Sequence, residues 1–157
     1  MNASKKREGI RIRAPQPEDA AALARLSTQL GYPATPEQVA PRLDAILRDP
    51  AAVFFVADRE SGGVAGFIHL IHEHLIETDP RAEVAGLVVD EDCRGLGVGR
   101  ALMARAEQWA LERGCRYVNL RSKMSRAAAH AFYESLGYEH YKSQKAFRKE
   151  SKPPKVR

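Results

Sequence analysis

The run Arg94-Gly95-Leu96-Gly97-Val98-Gly99-Arg100 has the residue types of a turn that binds phosphate. It follows a segment rich in β-branched residues, 82–89, and precedes a segment with apolar residues at helical spacing, 98–113. Glycines let the backbone approach a bulky anion, and the first turn of a helix presents free N–H groups and the positive end of its dipole. We therefore predict that residues 94–100 hold a phosphorylated cofactor.

The spacing of the glycines indicates which kind of phosphate site this is. A dinucleotide site would carry G-x-G-x-x-G in the first strand-to-helix turn and an acidic residue about 20 positions later. The glycines here are at 95, 97 and 99, position 100 is arginine, and no Gly-Lys-Ser or Gly-Lys-Thr of a P-loop follows. The spacing fits R/Q-x-x-G-x-G/A, with Arg94, Gly97 and Gly99 in the fixed positions.

Three separated segments resemble the GNAT superfamily of acetyl-coenzyme A-dependent N-acetyltransferases. They are the strand-like segment 82–89, the loop 94–100 and the run 126–138, which is similar to the family helix Ala-x-x-Phe-Tyr-Glu-x-x-Gly-Tyr or Phe. The segments occur in the family's order and at compatible separations. The resemblance is close over roughly residues 82–140, whereas the amino-terminal half is compatible with the family in pattern only.

The resemblance implies a fold and a cofactor. The fold would be α/β (α+β), a single domain with a mixed, mostly antiparallel sheet of about 6–7 strands and about four helices, in which strands 4 and 5 splay apart. Acetyl-coenzyme A would be the co-substrate, and no metal is implied. Its pantetheine arm would pair with the backbone of Leu87, Val88 and Val89. Its pyrophosphate would be bound by Arg94, Gly95, Leu96, Gly97, Val98, Gly99 and Arg100.

Acetyl transfer to an amine needs a base and an acid. An amine with a pKa of about 10.4 must lose a proton before it attacks, and the thiolate leaving group benefits from a proton donor. The resemblance makes Tyr133 the candidate acid and Glu83 the candidate base, and places oxyanion stabilisation at the backbone N–H of Leu87 or Val88. The alternatives are that Tyr133 is a packing aromatic beside Phe132 and that Glu83 is an exposed acid on a strand.

The histidines and cysteines give weaker indications. On a regular strand His72 and His74 share one face and His69 lies on the other, but no third ligand accompanies the pair, so we predict no metal site. Cys93 adjoins the glycine loop without a base in sequence reach, which favours an inert thiol. Many family members carry an asparagine near the start of the tyrosine helix, and this chain has 122–126, Ser-Lys-Met-Ser-Arg, in that place.

Composition indicates one enzyme-sized globular domain of 157 residues. The net charge of +5 comes largely from basic segments near both ends and accompanies no nucleic-acid-binding motif, so we predict no nucleic-acid partner. No apolar run is long enough to span a membrane, and the start of the sequence lacks the apolar stretch of a signal peptide. With two cysteines and no C-x-x-C pair, the expected location is the cytoplasm.

The periodicity predicts alternating elements, with residues 9–149 as the domain and residues 1–8 and 150–157 as disordered tails. A strand at 10–13 precedes helices that begin near Pro17 and Pro36, and strands at 53–57 and 64–71 form a hairpin. The fourth strand follows at 82–89, after a break at Asp79-Pro80. The remaining elements are a helix at 98–113, a strand at 117–120, a helix at 125–136 and a final strand pair at 138–147.

The leading hypothesis is an N-acetyltransferase that acts on a small-molecule amine through a ternary complex. The alternatives are a protein acetyltransferase for lysine side chains or terminal amines, and a noncatalytic acyl-coenzyme A-binding module. The resemblance places the acceptor pocket between the first two helices and their connection, 29–33, with help from the connection 73–81. A homodimer is common among proteins of this kind.

Overall fold

The computed structural model describes residues 9–153, 155 and 156, and its central element is a five-stranded sheet in the order β1-β2-β3-β4-β5. Neighbouring strands from β1 to β4 are antiparallel, and β5 is parallel to β4. The strands are β1 (Ile10–Arg13), β2 (Ala52–Arg59), β3 (Val64–Leu75), β4 (Thr78–Val89) and β5 (Tyr117–Leu120). The mixed, mostly antiparallel sheet of the prediction is confirmed.

Four α-helices accompany the sheet in the described part of the chain, as predicted: α1 (Ala20–Leu30), α2 (Pro36–Arg48), α3 (Val98–Glu112) and α4 (Ala127–Ser135). The start of α2 carries a capping box, in which two side chains bond reciprocally to backbone amides. The Thr35 side chain accepts from the Gln38 amide at 3.3 Å, and the Gln38 side chain accepts from the Thr35 amide at 3.1 Å. These bonds satisfy backbone groups that a helix end leaves without partners.

The two faces of the sheet bury different helices, because successive strand residues point to opposite sides. On one face, Phe54, Val56 and Phe67 pack with Leu23 and Leu26 of α1 and Leu43 of α2. On the other face lies α3, where Arg105 stacks over the ring of Phe55 and Trp109 meets His72 edge to face. The sheet is therefore covered on both sides, which suits strands as apolar as β2 and β3.

The chain divides into two compact units at Arg121. The first unit holds the sheet and helices α1, α2 and α3. The second unit begins at Ser122 and holds α4, which ends at Ser135. Gly137, with φ of 90°, follows two residues later, and the chain then has no regular structure as far as it is described.

Two predicted features differ from the structure. The described residues form five strands rather than six or seven, and no strand occurs at 138–147. That segment is mostly polar, and its large apolar side chains Tyr141 and Phe147 are exposed, so little apolar burial is available to stabilise a strand there. The predicted tail 1–8 lies outside the described residues, as do Pro154 and Arg157.

The fourth strand is longer than predicted, because it continues through the expected break at Pro80. The pairing of β3 with β4 shifts register between Glu73 and Leu75, which places Pro80 in an irregularity of the ladder. A proline cannot donate to a ladder and is tolerated at such a position. The carbonyl of Pro80 still accepts from the Arg116 amide at 2.8 Å.

Gly66 on β3 lies in close contact with both β4 and α3, and its replacement by alanine should destabilise the protein. An added Cβ would lie 2.6 Å from the Val88 carbonyl oxygen, 3.1 Å from Val98 and 3.2 Å from Leu102. Backbone and buried helix atoms cannot move away freely, so Gly66→Ala should lower the free energy of unfolding by about 1–3 kcal/mol.

Urea denaturation followed by circular dichroism measures this effect. The matched control is Gly86→Ala on β4, because its added Cβ would meet only the Phe67 ring, at an ordinary contact distance of 3.6 Å. Equal stability of the two variants would contradict the close approach of α3 to β3 at Gly66.

Candidate functional site

The glycine loop between β4 and α3 adopts a backbone that only glycine enters easily. A single turn of 3-10 helix, Glu91–Cys93, leads into it, and Gly95 and Gly97 have φ of 77° and 86°. A Cβ built at either glycine meets nothing within 4 Å. The requirement for glycine is therefore conformational rather than steric, and the space beside both residues is open to a ligand.

The loop ends at the start of α3, whose first-turn amides are available. Gly97 is the capping residue, and among the described residues no side chain caps this helix end. The first turn also contains no acid. Three amides of this turn, those of Val98, Gly99 and Arg100, thus lack an intrahelical acceptor and lie at the positive end of the helix dipole. This arrangement suits a phosphate group, and phosphate binding by residues 94–100 stays a prediction.

Asp90 fixes the loop to the first helix. Its buried carboxylate pairs with Arg25 of α1 and accepts from the Asp92 amide at 3.1 Å. Gln29, one turn after Arg25, accepts from the Glu91 amide at 3.1 Å. Burial raises the pKa of Asp90, but the hydrogen bonds from Arg25 and the Asp92 amide outweigh it and hold the pKa below its usual value.

The amino-acid sequence alone does not reveal this network. Arg25 and Gln29 lie more than 60 positions before the loop, and only the fold brings them together. The one local signal was an acid, Asp90, placed directly after an apolar strand. Such a residue commonly caps the turn that follows, and Asp90 does so here.

The strand β4 parts from β5 halfway along its length. The parallel ladder joins Arg81–Val84 to Tyr117–Leu120 and stops there, and Ala85 is an extra residue between the pairs His69–Gly86 and Leu70–Val84. The bulge at Ala85 bends the strand locally. Within the described residues no strand pairs with 85–89 on this side, so Leu87, Val88 and Val89 belong to a free backbone edge.

Glu83 lies on β4, two residues before the bulge at Ala85 that precedes the free edge. It is 7% exposed, which differs from the alternative of an exposed strand acid, and it accepts a hydrogen bond from Arg121 Nε at 3.1 Å. Directly paired residues of antiparallel strands share a face. Since Glu83 pairs with Ile71 and Gly86 pairs with His69, Glu83 shares a sheet face with His69 and Gly86.

A cavity of about 350 Å³ opens on this same face, between the sheet and helices α1 and α2. It reaches the bulge of β4, and its walls are mainly apolar. Its lining residues are Leu23, Ser27, Leu30, Tyr32, Val39, Arg42, Leu43, Ile46, Phe54, Phe67, His69, Ala85 and Gly86. The volume is within the range of small-molecule sites.

The cavity lies where an acceptor pocket was predicted, with one difference. Both helices and Tyr32 of their connection contribute, but no residue of the connection 73–81 lines it. Acids of that connection are already paired, Glu73 with Arg81 at 2.9 Å and Asp79 with Arg116 at 2.8 Å.

Tyr133 belongs to the second unit and lies in α4. Its ring is half-buried, 5.3 Å from the ring of Phe132 and 6.2 Å from that of Tyr138. Burial raises the pKa of Tyr133 above its usual value, and the charge of Arg126 opposes this only in part. The hydroxyl therefore carries its proton at neutral pH, as a proton donor must.

The predicted histidine arrangement is confirmed, with the ring centroids of His72 and His74 4.4 Å apart and His69 on the other face, its ring tilted against that of Phe54. Among the described residues no group of three or more His, Cys, Asp or Glu side chains could hold a metal ion. Cys93 is buried and Cys115 partly buried, and neither forms a disulfide bond. The described residues also include no helix with the length and apolar character that crossing a bilayer requires.

The sequence model of the Acetyltransferase (GNAT) family matches residues 19–138, most of the chain. The chain belongs to the GNAT acetyltransferase family. The match includes α1, α2, the residues that line the cavity, the glycine loop and the helix of Tyr133. It therefore extends the resemblance of this GNAT protein from residues 82–140 to most of the amino-terminal half, which the sequence had shown to be compatible with the family in pattern only.

Relatives of this GNAT protein are N-acetyltransferases. It is 33% identical over 132 residues to an aminoglycoside N(6')-acetyltransferase type 1 from Stenotrophomonas maltophilia, a match that covers 82% of this chain and 85% of the relative. It is 35% identical over 105 residues to an aminoalkylphosphonate N-acetyltransferase from Salmonella typhimurium, covering 65% and 68%. The chain is therefore an acyltransferase enzyme of the N-acetyltransferase class.

Solved structures agree on the fold of the GNAT protein. The aminoglycoside N-acetyltransferase AAC(6')-Iy in complex with CoA superimposes with a TM-score of 0.80 at 20% identity, covering 94% of this chain and 99% of that one. Because this identity is low, the superposition supports the GNAT fold and carries no conclusion about the acceptor.

Proposed function

We propose that this enzyme transfers the acetyl group of acetyl-coenzyme A to a primary amine of a small molecule, by direct attack in a ternary complex. The observation that carries the proposal is the cavity of about 350 Å³ that ends at the β4 bulge. A cavity bounded by two helices and the sheet accommodates a small acceptor, whereas a protein substrate needs an open groove for its backbone.

The cofactor half of the proposal rests on the glycine loop and the free edge of β4. The amides at the start of α3 suit the pyrophosphate. The backbone of Leu87, Val88 and Val89 offers N–H and C=O groups to the amide-bearing pantetheine arm, as a free strand edge does for an added strand. Arg94 and Arg100 add positive charge at the two ends of the loop. The AAC(6')-Iy structure with CoA, which shares the fold, supports this choice of cofactor.

The catalytic roles follow from the chemistry of the transfer. Tyr133 donates the proton to the departing thiolate, because burial keeps its hydroxyl protonated. Glu83 accepts the proton of the amine, directly or through water, since it lies on the sheet face that carries the cavity. The amide of Leu87 or Val88, beside the bulge, stabilises the charge on the carbonyl oxygen. We place the enzyme in the cytoplasm, where cysteines without a disulfide bond, such as Cys93 and Cys115, persist.

Release of free thiol from acetyl-coenzyme A tests the proposal. The acceptors would be an aminoglycoside and an aminoalkylphosphonate, after the two relatives, simple alkyl amines and amino acids, and a lysine-containing peptide, with an acceptor-free sample as the background. We expect release with small amines and only background with the peptide. Release with the peptide alone would favour a protein acetyltransferase, and uptake of acetyl-coenzyme A without release from any amine would indicate a noncatalytic binding module.

A further inference from the structure

We propose that Arg42 of α2 selects acceptors in which an apolar chain joins the reacting amine to an anionic group, a carboxylate or a phosphonate. The inference deepens the proposed function and rests on it, because it takes the cavity between α1, α2 and the sheet as the acceptor site.

The fixed charge of the cavity comes from Arg42. Arg42 is the one residue with a fixed charge among the described residues that line it, and no aspartate or glutamate is among them. The other basic candidate is His69. Burial lowers the pKa of His69, and the charge of Asp49 opposes this only in part, so the imidazole is neutral at pH 7. The cavity therefore presents a single positive charge in mainly apolar surroundings.

Arg42 has no partner of its own among the described residues. No hydrogen bond or ion pair joins it to any residue in the part of the chain that the structure describes, and the next arginine of the same helix, Arg48, pairs with Asp44 at 2.9 Å. A guanidinium with five unused donors beside an apolar cavity matches the two oxygens of a carboxylate or phosphonate. A ligand with several ammonium groups would instead meet an uncompensated like charge.

Arg42 and Glu83 lie at different places relative to the sheet, one on the helix above it and one on its face. The cavity reaches Gly86 at the β4 bulge, where the proposed thioester lies, and the carboxylate of Glu83 is on the same sheet face. Arg42 contributes from α2, which packs over that face. An acceptor in the cavity would thus place its amine at Gly86, on the sheet face that also carries Glu83, and its anionic end at Arg42 on α2. Its apolar chain would lie against the rings of Phe54 and Phe67, which stack on each other at 5.0 Å and line the cavity.

A matched series of acceptors tests the inference. Butylamine, γ-aminobutyrate and putrescine share a four-carbon chain and end in a methyl group, a carboxylate and an ammonium group, and aminopropylphosphonate supplies the phosphonate. We expect kcat/KM to be highest for the two anionic amines and lowest for putrescine and for the polycation kanamycin. The ratio between γ-aminobutyrate and aminopropylphosphonate shows which of the two anions the site prefers.

Variants of α2 assign the preference to Arg42. In Arg42→Gln the ratio of kcat/KM for γ-aminobutyrate over butylamine should fall by about 10- to 100-fold, mainly through KM, as expected for losing a hydrogen-bonded charge pair. Arg42→Glu should reverse the order of γ-aminobutyrate and putrescine. The matched control is Arg48→Gln, which removes an exposed arginine of the same helix outside the cavity and should leave the ratio unchanged.

The outcomes separate this inference from the proposed function. Acetylation of butylamine, putrescine or kanamycin in preference to the anionic amines, or an Arg42→Gln ratio equal to that of the parent, would overturn the role of Arg42 and leave the acetyltransferase activity standing. Absence of thiol release with every amine of the series, from protein that binds acetyl-coenzyme A, would overturn the proposed function and this inference with it.

Discussion

Replacing Tyr133 with phenylalanine is expected to lower kcat by about 10- to 10,000-fold, the lower end applying if water replaces the hydroxyl as proton donor. The variant keeps the ring and its contacts with Phe132 and Tyr138, so α4 should retain its packing. The affinity for acetyl-coenzyme A should change little, because the hydroxyl acts on the leaving thiolate rather than on the bound thioester. Single-turnover kinetics measure the chemical step.

The pH dependence of the activity is a second test of the role of Tyr133. A general acid must be protonated, and since burial raises the pKa of Tyr133, activity should persist through neutral pH and fall only above the usual tyrosine value of about 10. The phenylalanine variant should lack this alkaline decline. Tyr141→Phe, at an exposed tyrosine of the same unit, is the control. An unchanged single-turnover rate in Tyr133→Phe would remove Tyr133 from the mechanism.

Replacing Gly97 with valine is expected to weaken acetyl-coenzyme A binding by at least about 100-fold. A β-branched residue is strained at φ of 86°, at a cost of roughly 1–2 kcal/mol, and relief of that strain moves the amides at the start of α3 away from the pyrophosphate. Each lost hydrogen bond to a charged group contributes about 1.5–3 kcal/mol more. Isothermal calorimetry with acetyl-coenzyme A measures the affinity.

Gly62→Val is the matched control for this change. Gly62 has φ of 100° in the turn between β2 and β3, and a Cβ there also meets nothing within 4 Å. Both variants should therefore lose similar stability, and only Gly97→Val should lose cofactor affinity. Equal affinities in the two variants would show that the backbone at Gly97 does not hold the cofactor.

The elements that sequence analysis predicted best are those with local causes. The capping box of Thr35 and Gln38 set the start of α2, and the strand at 117–120 and the start of α3 at Val98 have the predicted positions. Each depends on side chains within a few residues of one another. The glycine loop was recognisable for the same reason, since positive φ at Gly95 and Gly97 is a local requirement.

Features that depend on distant segments were not predictable in the same way. The fixing of Asp90 by Arg25 and the contribution of Arg42 to a cavity that ends at Gly86 arise only when helices and sheet pack together. The bulge at Ala85 is a property of the pairing of β3 with β4, which periodicity does not reveal. The predicted strand pair at 138–147 was wrong, because this polar segment buries little apolar side-chain surface against the rest of the chain as described.

Titration of the protein with two ligands tests the central claim most directly, namely that the main chain between 94 and 100 holds the pyrophosphate of a thioester carrier. Calorimetry would compare acetyl-coenzyme A with acetyl-pantetheine, which has the same thioester arm but no pyrophosphate. We predict saturable binding of acetyl-coenzyme A at one site and binding of acetyl-pantetheine weaker by at least about 100-fold, because the charge-assisted hydrogen bonds are lost. Folded protein that takes up no acetyl-coenzyme A, or that binds the two ligands equally, would contradict the claim.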